Sequence, residues 1–200
     1  MSEIHKTTYH ICIIKNIIEY CKIHNIKLDL SLFLKNDSLN YQYIINAMGI
    51  KRYIELIGKI DDKPIVFYII DKDGFNTVDL KKLLDNYEKY SEIIFIADND
   101  YINKNNINNI LKQYNNLKFY KYEIFKLNPF NCHIIPKHRI LSQEESNKLL
   151  KECYTTKIKL PKILINEIII VWLRANKSDI IEITRNDIIN GVSLYYRIVV

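Results

Sequence analysis

Ile134-Ile135-Pro136-Lys137-His138-Arg139-Ile140-Leu141-Ser142-Gln143-Glu144-Glu145 contains a rigid extended segment and a helix start within twelve positions. Pro136 fixes its own φ and biases Ile135 toward extended backbone, so Lys137, His138 and Arg139 are displayed on a stiff segment. Ser142 followed three positions later by Glu145 is a capping box, which starts a helix expected to run to about Cys153. An extended stretch from Lys157 to Ile165 holds Leu160-Pro161-Lys162-Ile163, after which Asn166 is placed to cap a short helix ending near Leu173. Ile180 to Arg185 and Val192 to Val199 read as strands joined by a turn containing Asn190-Gly191, a pair that tolerates positive φ. Residues 131–200 are therefore expected to form a small α+β domain, with Asn128-Pro129-Phe130-Asn131 as the linker to it.

Upstream, Thr7 to His24 repeats as an amphipathic helix, with Ile13, Ile14, Ile17, Ile18 and Cys21 on one face and Thr7 or Thr8 as its cap. Leu30 to Ile60 is ambiguous; Leu39 to Met48 suggests a second helix, with Gly49 and Gly58 as breaks. Pro64 to Ile70 is a nearly continuous apolar run of strand length, as expected for a strand covered on both faces. Asp71 to Gly74 turns the chain, Thr77 to Tyr90 repeats as a helix, and Ile93 to Ala97 is a second buried strand. A shorter helix near Asn105 to Gln113 and a strand from Leu117 to Phe125 complete a β-α-β-α-β series. That alternation predicts a parallel or mixed sheet flanked by helices in residues 1–130, so the class is α/β in this half and α+β for the chain.

Two hundred residues with 48% hydrophobic content suffice for a real core. No apolar run is long enough to span a bilayer, and Met1 to Lys6 lacks the layout of a secretory signal, so an intracellular protein with no membrane partner is expected. Ile, Asn, Lys and Tyr are over-used while Gly and Pro number four each, a bias that fits an AT-rich genome. The net charge of +6, most of it from His133 onward, is too small for a protein that must hold nucleic acid alone. The four cysteines, Cys12, Cys21, Cys132 and Cys153, form no Cys-x-x-Cys pair. Cys132, His133 and His138 are the nearest approach to a metal set, but neighbours on extended backbone face opposite ways, so neither a metal nor another cofactor is expected.

The ordered set formed by Pro136-Lys137-His138, the Ser142 cap, Leu160-Pro161-Lys162-Ile163 and the terminal Tyr196-Arg197 pair resembles the assembly domain of the fifth common subunit of eukaryotic RNA polymerases, which has a counterpart in the archaeal enzyme. The resemblance implies a non-catalytic polymerase subunit. Its C-terminal domain would dock on the largest subunit, and Pro136, Lys137, His138, Arg139, Leu160, Pro161, Tyr196 and Arg197 are the residues carried over to that interface. Its N-terminal domain would form the lower jaw beside downstream duplex DNA, on a sheet of nuclease-like type. Asn103, Lys104 and Asn105 would then meet the DNA backbone weakly and without reading sequence. The family's Asp-Pro is replaced here by Asn166-Glu167, a glycine after the short helix by Arg174-Ala175-Asn176, and the glycine of a later turn by Lys177-Ser178-Asp179. Asn176 is the residue expected to take over the left-handed cap. Such divergence favours a viral member, resident in the virion and host cytoplasm, over a cellular one in the nucleus.

Two other functions compete with this one. A metal-dependent nuclease would need an acidic residue and an Asp/Glu-x-Lys element on adjacent strands, and Asp79-Leu80-Lys81 falls in an expected helix instead. A free-standing adaptor that borrowed the assembly domain to recruit factors to polymerase would share every C-terminal motif.

Overall fold

The computed structural model describes residues 3–35, 38–71, 77–84, 87–98, 114, 116–187 and 191–200. Two compact units emerge, Met1–Leu127 and Asn128–Val200, with the division falling just before the Asn128-Pro129 segment.

In the first unit, α1 (Glu3–Ile23) is followed by three two-residue strands, β1 (Lys27–Leu28), β2 (Leu34–Lys35) and β3 (Ser38–Leu39). Then come α2 (Tyr41–Lys51), β4 (Tyr53–Ile60), β5 (Lys63–Ile70), α3 (Thr77–Leu84), β6 (Glu92–Ala97) and β7 (Leu117–Lys121). The main sheet has the order β1-β4-β5-β6-β7; β1, β4 and β5 are antiparallel in turn, and β5, β6 and β7 run parallel. The sheet is thus mixed, and its two central strands are the apolar runs: every residue from Ile65 to Ile70 and from Glu92 to Ala97 is buried.

Each face has its own cover. Ile13, Ile14, Ile17 and Tyr20 of α1 are buried, and the Tyr20 ring meets Phe67 at 6.2 Å and Phe125 at 5.5 Å, both edge-on. On the opposite face Leu80 and Leu84 of α3 pack against Val66, Tyr68, Ile93 and Phe95. Aromatic rings run across that face, with Tyr68 stacked on Phe95 at 5.0 Å and Phe95 on Phe119 at 4.9 Å.

Several local expectations are corrected. The first helix begins at Glu3, so Thr7 and Thr8 lie inside it and cannot cap it. The helix from Thr77 ends at Leu84, with a separate 3-10 turn at Tyr87–Lys89. The third strand stops at Lys121 and continues as a 3-10 turn, Tyr122–Phe125. Gly49 is an exposed residue within α2, and the helix instead stops at Arg52, which takes φ 62°. Gly58 is no break either, because it sits inside β4. The expected helix at Asn105–Gln113 and most of the Asp71–Gly74 turn lie outside the described residues.

The second unit holds β8 (Lys137–Ile140), α4 (Gln143–Glu152), β9 (Lys162–Ile163), α5 (Ile168–Leu173), β10 (Ile180–Asp187) and β11 (Gly191–Val199). Its sheet has the order β8-β10-β11-β9, antiparallel except for the final β11–β9 pair. Ile181, Ile183 and Val199 pack under α5, whose Ile170 is fully buried. Trp172 is fully buried as well, with the Phe130 ring edge-on at 6.1 Å.

The capping box is formed in full: Ser142 Oγ accepts from Glu145 N–H at 3.1 Å, and Glu145 Oε2 accepts from Ser142 N–H at 2.7 Å. Asn166 does not cap α5; Glu167 occupies that position and caps with no side-chain bond. Nor does Asn176 supply the left-handed residue. Arg174 does, at φ 55°, while Ser178 takes φ 72° at the turn where the family would place glycine. Asp179 Oδ2 accepts from Asn176 N–H at 2.7 Å and so ties that turn together.

Candidate subunit interface

Strand alternation sorts the residues of the Pro136 segment. His138 and Ile140 are half-buried on one side of β8, while Lys137 and Arg139 are exposed on the other. Register then fixes their neighbours, since directly opposed residues share a face. His138 lies opposite Ile183, which lies opposite Tyr195; Ile140 lies opposite Ile181, which lies opposite Arg197. His138, Tyr195 and Arg197 therefore share the face that carries the α5 core.

Arg139 belongs to the other face, opposite Glu182 and, one strand further, Tyr196. Its guanidinium donates to Glu182 from Nε at 2.6 Å and from Nη2 at 3.2 Å, and to Glu145 from Nη1 at 2.7 Å. Tyr196 hydroxyl reaches Glu182 Oε2 at 3.4 Å. The charge-assisted bonds from Glu182 and Glu145 push the Arg139 pKa further up, and the bonds to Ser142 N–H and Arg139 hold Glu145 below the usual carboxylate range. Arg139 and Tyr196 are thus occupied in tying β8, β10 and the start of α4 together. Leu160 and Pro161 stand at the far edge of the sheet, where Pro161 carbonyl accepts from Ile198 N–H at 2.9 Å. The eight residues drawn from the sequence are spread over two faces and an edge, and they do not form one patch.

A groove of about 480 Å³ runs between the segment leading into β8 and the exposed end of β10. Phe130, Ile134 and Pro136 give it apolar walls, and Lys137 and Arg185 give it positive charge, with no carboxylate among its described lining residues. Ile134 is 78% exposed. The Arg185 guanidinium lies over the Tyr195 ring, 4.8 Å from its centroid. His138 sits beside this groove and donates from Nδ1 to the Pro136 carbonyl at 2.6 Å. Burial pushes its pKa down, Arg185 and Arg197 push it further the same way, and the Pro136 bond opposes them. Arg185, Glu182 and the Phe130–Ile134 wall were missed in the sequence; strand alternation alone would have put Arg185 in step with Ile181 and Ile183.

Among the described residues no group of three or more His, Cys, Asp or Glu is placed to hold a metal, and the Nδ1 of His138 is already engaged. Asp79 and Lys81 fall on α3, as the sequence indicates. Asn103, Lys104 and Asn105 lie outside the described residues. No described helix is long and apolar enough to cross a membrane.

The family model for the C-terminal domain of RNA polymerase Rpb5 matches residues 127–199. The chain is 42% identical over 67 residues to RNA polymerase subunit Rpo5 of Archaeoglobus fulgidus, a match covering 34% of this chain and 88% of that protein. The chain belongs to the Rpb5 family. Another archaeal relative, Rpo5 of Pyrococcus horikoshii, is 41% identical over 75 residues, covering 38% of this chain and 92% of its own length. The similarity to the RPB5 homolog of African swine fever virus (isolate Tick/Malawi/Lil 20-1/1983) is 29% over 112 residues, 53% of this chain and 55% of the viral protein. This Rpb5-family chain is a non-catalytic subunit of a DNA-directed RNA polymerase, and its family has viral as well as archaeal members.

Proposed function

We propose that this subunit docks on the largest polymerase subunit through residues 131–200 and forms, with residues 1–130, the lower jaw beside downstream DNA. The observation that carries the docking is the groove beside β8, where apolar walls stand with the cations of Lys137 and Arg185 and no carboxylate lies among the described lining residues. Arginine and aromatic anchors of this kind are what subunit interfaces use. Pro136, Lys137, His138 and Arg197 act there with Arg185, while Leu160 and Pro161 offer a second contact at the far edge. Arg139 and Tyr196 hold the strands that present them. At the jaw, Asn103, Lys104 and Asn105 meet phosphates of the duplex weakly, in the assembled enzyme only. The protein works inside the cell, in the virion and host cytoplasm if it is viral and in the nucleus if it is cellular.

Charge reversal tests the docking face. Full-length Arg185→Glu should lose co-purification with the largest subunit while melting like the parent, whereas Lys162→Glu at the far edge should cost much less. Undiminished capture by the Arg185 variant would contradict the proposed face.

A further inference from the structure

The first unit has an unfinished sheet edge. β1 pairs with β4 only through Lys27↔Lys59 and Leu28↔Gly58, and the last bond between them is Asp29 N–H to the Ile57 carbonyl at 2.9 Å. The chain then turns away through Leu30–Phe33. Because Ile57 aims its carbonyl outward, Glu55, two residues earlier on the same strand, aims its own N–H and carbonyl outward too. No described backbone group meets them. A cleft of about 150 Å³ opens at this position, lined by Glu55 and Ile57 of β4, Phe33, Tyr43 and Ala47 from the α2 side, and Asp29. Leu32 and Ile57 rim it and are 60% and 40% exposed.

We infer that this edge of β4 accepts an extended peptide segment of another polypeptide as an added strand, with a central Lys or Arg flanked by apolar residues. The geometry sets the pattern. A residue paired with Glu55 through both main-chain bonds places its side chain on the Glu55 face, where a cross-strand cation meets the Glu55 and Asp29 carboxylates. Glu55 already accepts from the Tyr68 hydroxyl at 2.9 Å, which holds its carboxylate on that face of the sheet. The neighbours of that residue point to the opposite face. That is the α1 and α2 side, since Tyr20 of α1 packs on Phe67 and α1 packs on α2. There Phe33, Tyr43 and Ala47 receive apolar side chains. Lys51, also in the lining, disfavours a second cation there and limits the basic position to one.

The site is separate from the C-terminal docking face, so its test uses the free full-length chain. Amide resonances are followed while the capped peptide Ser-Val-Lys-Leu-Ser is added, alongside Ser-Val-Glu-Leu-Ser and a version of the first with its Lys amide N-methylated. The Lys peptide should shift the Glu55 and Ile57 amides saturably and slow exchange of the Glu55 amide, with the other two peptides several-fold weaker. Glu55→Lys should reverse the preference to the Glu peptide, and Ala47→Trp, which puts a bulky ring on the α2 wall of the cleft, should abolish both. Equal binding of the N-methylated peptide, or an unmoved Glu55 amide, would overturn the proposal. So would sedimentation as a dimer that Ala47→Trp dissociates, because a second copy would then be the occupant.

Discussion

His138 and Ser178 carry the clearest consequences at the scale of single residues. The folded unit holds His138 below its ordinary value of about 6.5, so on acidification the unfolded chain takes up a proton that the folded one refuses. The stability contributed by neutral His138 is complete above about pH 6.5 and falls as the pH drops toward the folded value. Denaturation of the C-terminal unit should therefore need less denaturant at about pH 5.5 than at about pH 7.5, and His138→Gln should flatten that difference. A slope unchanged by the substitution would assign it to other groups. Glu145, held low, contributes over a separate and more acid window, below about pH 4.5. Ser178 pays a left-handed penalty at φ 72° on an exposed turn, where its N–H donates to Val199 O and its carbonyl accepts from Lys157 Nζ. Ser178→Gly should stabilise the unit by about 0.5–1 kcal/mol in chemical denaturation, because glycine adopts that conformation freely.

At the scale of elements, legibility followed the strength of local signals. Ile65–Ile70 and Ile93–Ala97 were readable because burial on both faces leaves no polar interruption. The Ser142–Glu145 box was readable because both partners sit in the sequence at fixed spacing. β4 was missed, although Tyr53-Ile54-Glu55-Leu56 alternates with buried Ile54 and Leu56. Its turn, Asp61-Asp62 at φ 48° and 63°, lacks the glycine that usually announces such a hairpin. Gly58 misled for a related reason: its role is close approach and not chain reversal. A Cβ there would lie 3.0 Å from the Lys27 carbonyl oxygen and 2.9 Å from Leu28 Cδ2. Gly58→Ala should thus push β1 from the sheet and destabilise the first unit by about 1–3 kcal/mol. An unchanged melting curve would show that β1 yields without cost. Within the interface, residue types were legible, but their distribution over faces was not, because it depends on the β8–β10–β11 register. That register commits Arg139 to Glu182 and Glu145 and brings Arg185 beside His138.

The whole molecule joins a C-terminal unit matched by the Rpb5 family model to an N-terminal unit built on a mixed sheet. Polymerase membership follows from the first; the jaw and the docking face are proposals built on it. A core subunit differs from a recruited adaptor in number, since it must be present once in every enzyme. The decisive measurement is native mass spectrometry of polymerase purified through a tag on a different subunit, from cells or virions in which this chain is expressed. One copy of this chain per enzyme, lost together with largest-subunit contact in the Arg185→Glu variant, is the predicted result. Active enzyme from which the chain is absent, or present only in a small fraction of assemblies, would contradict the account.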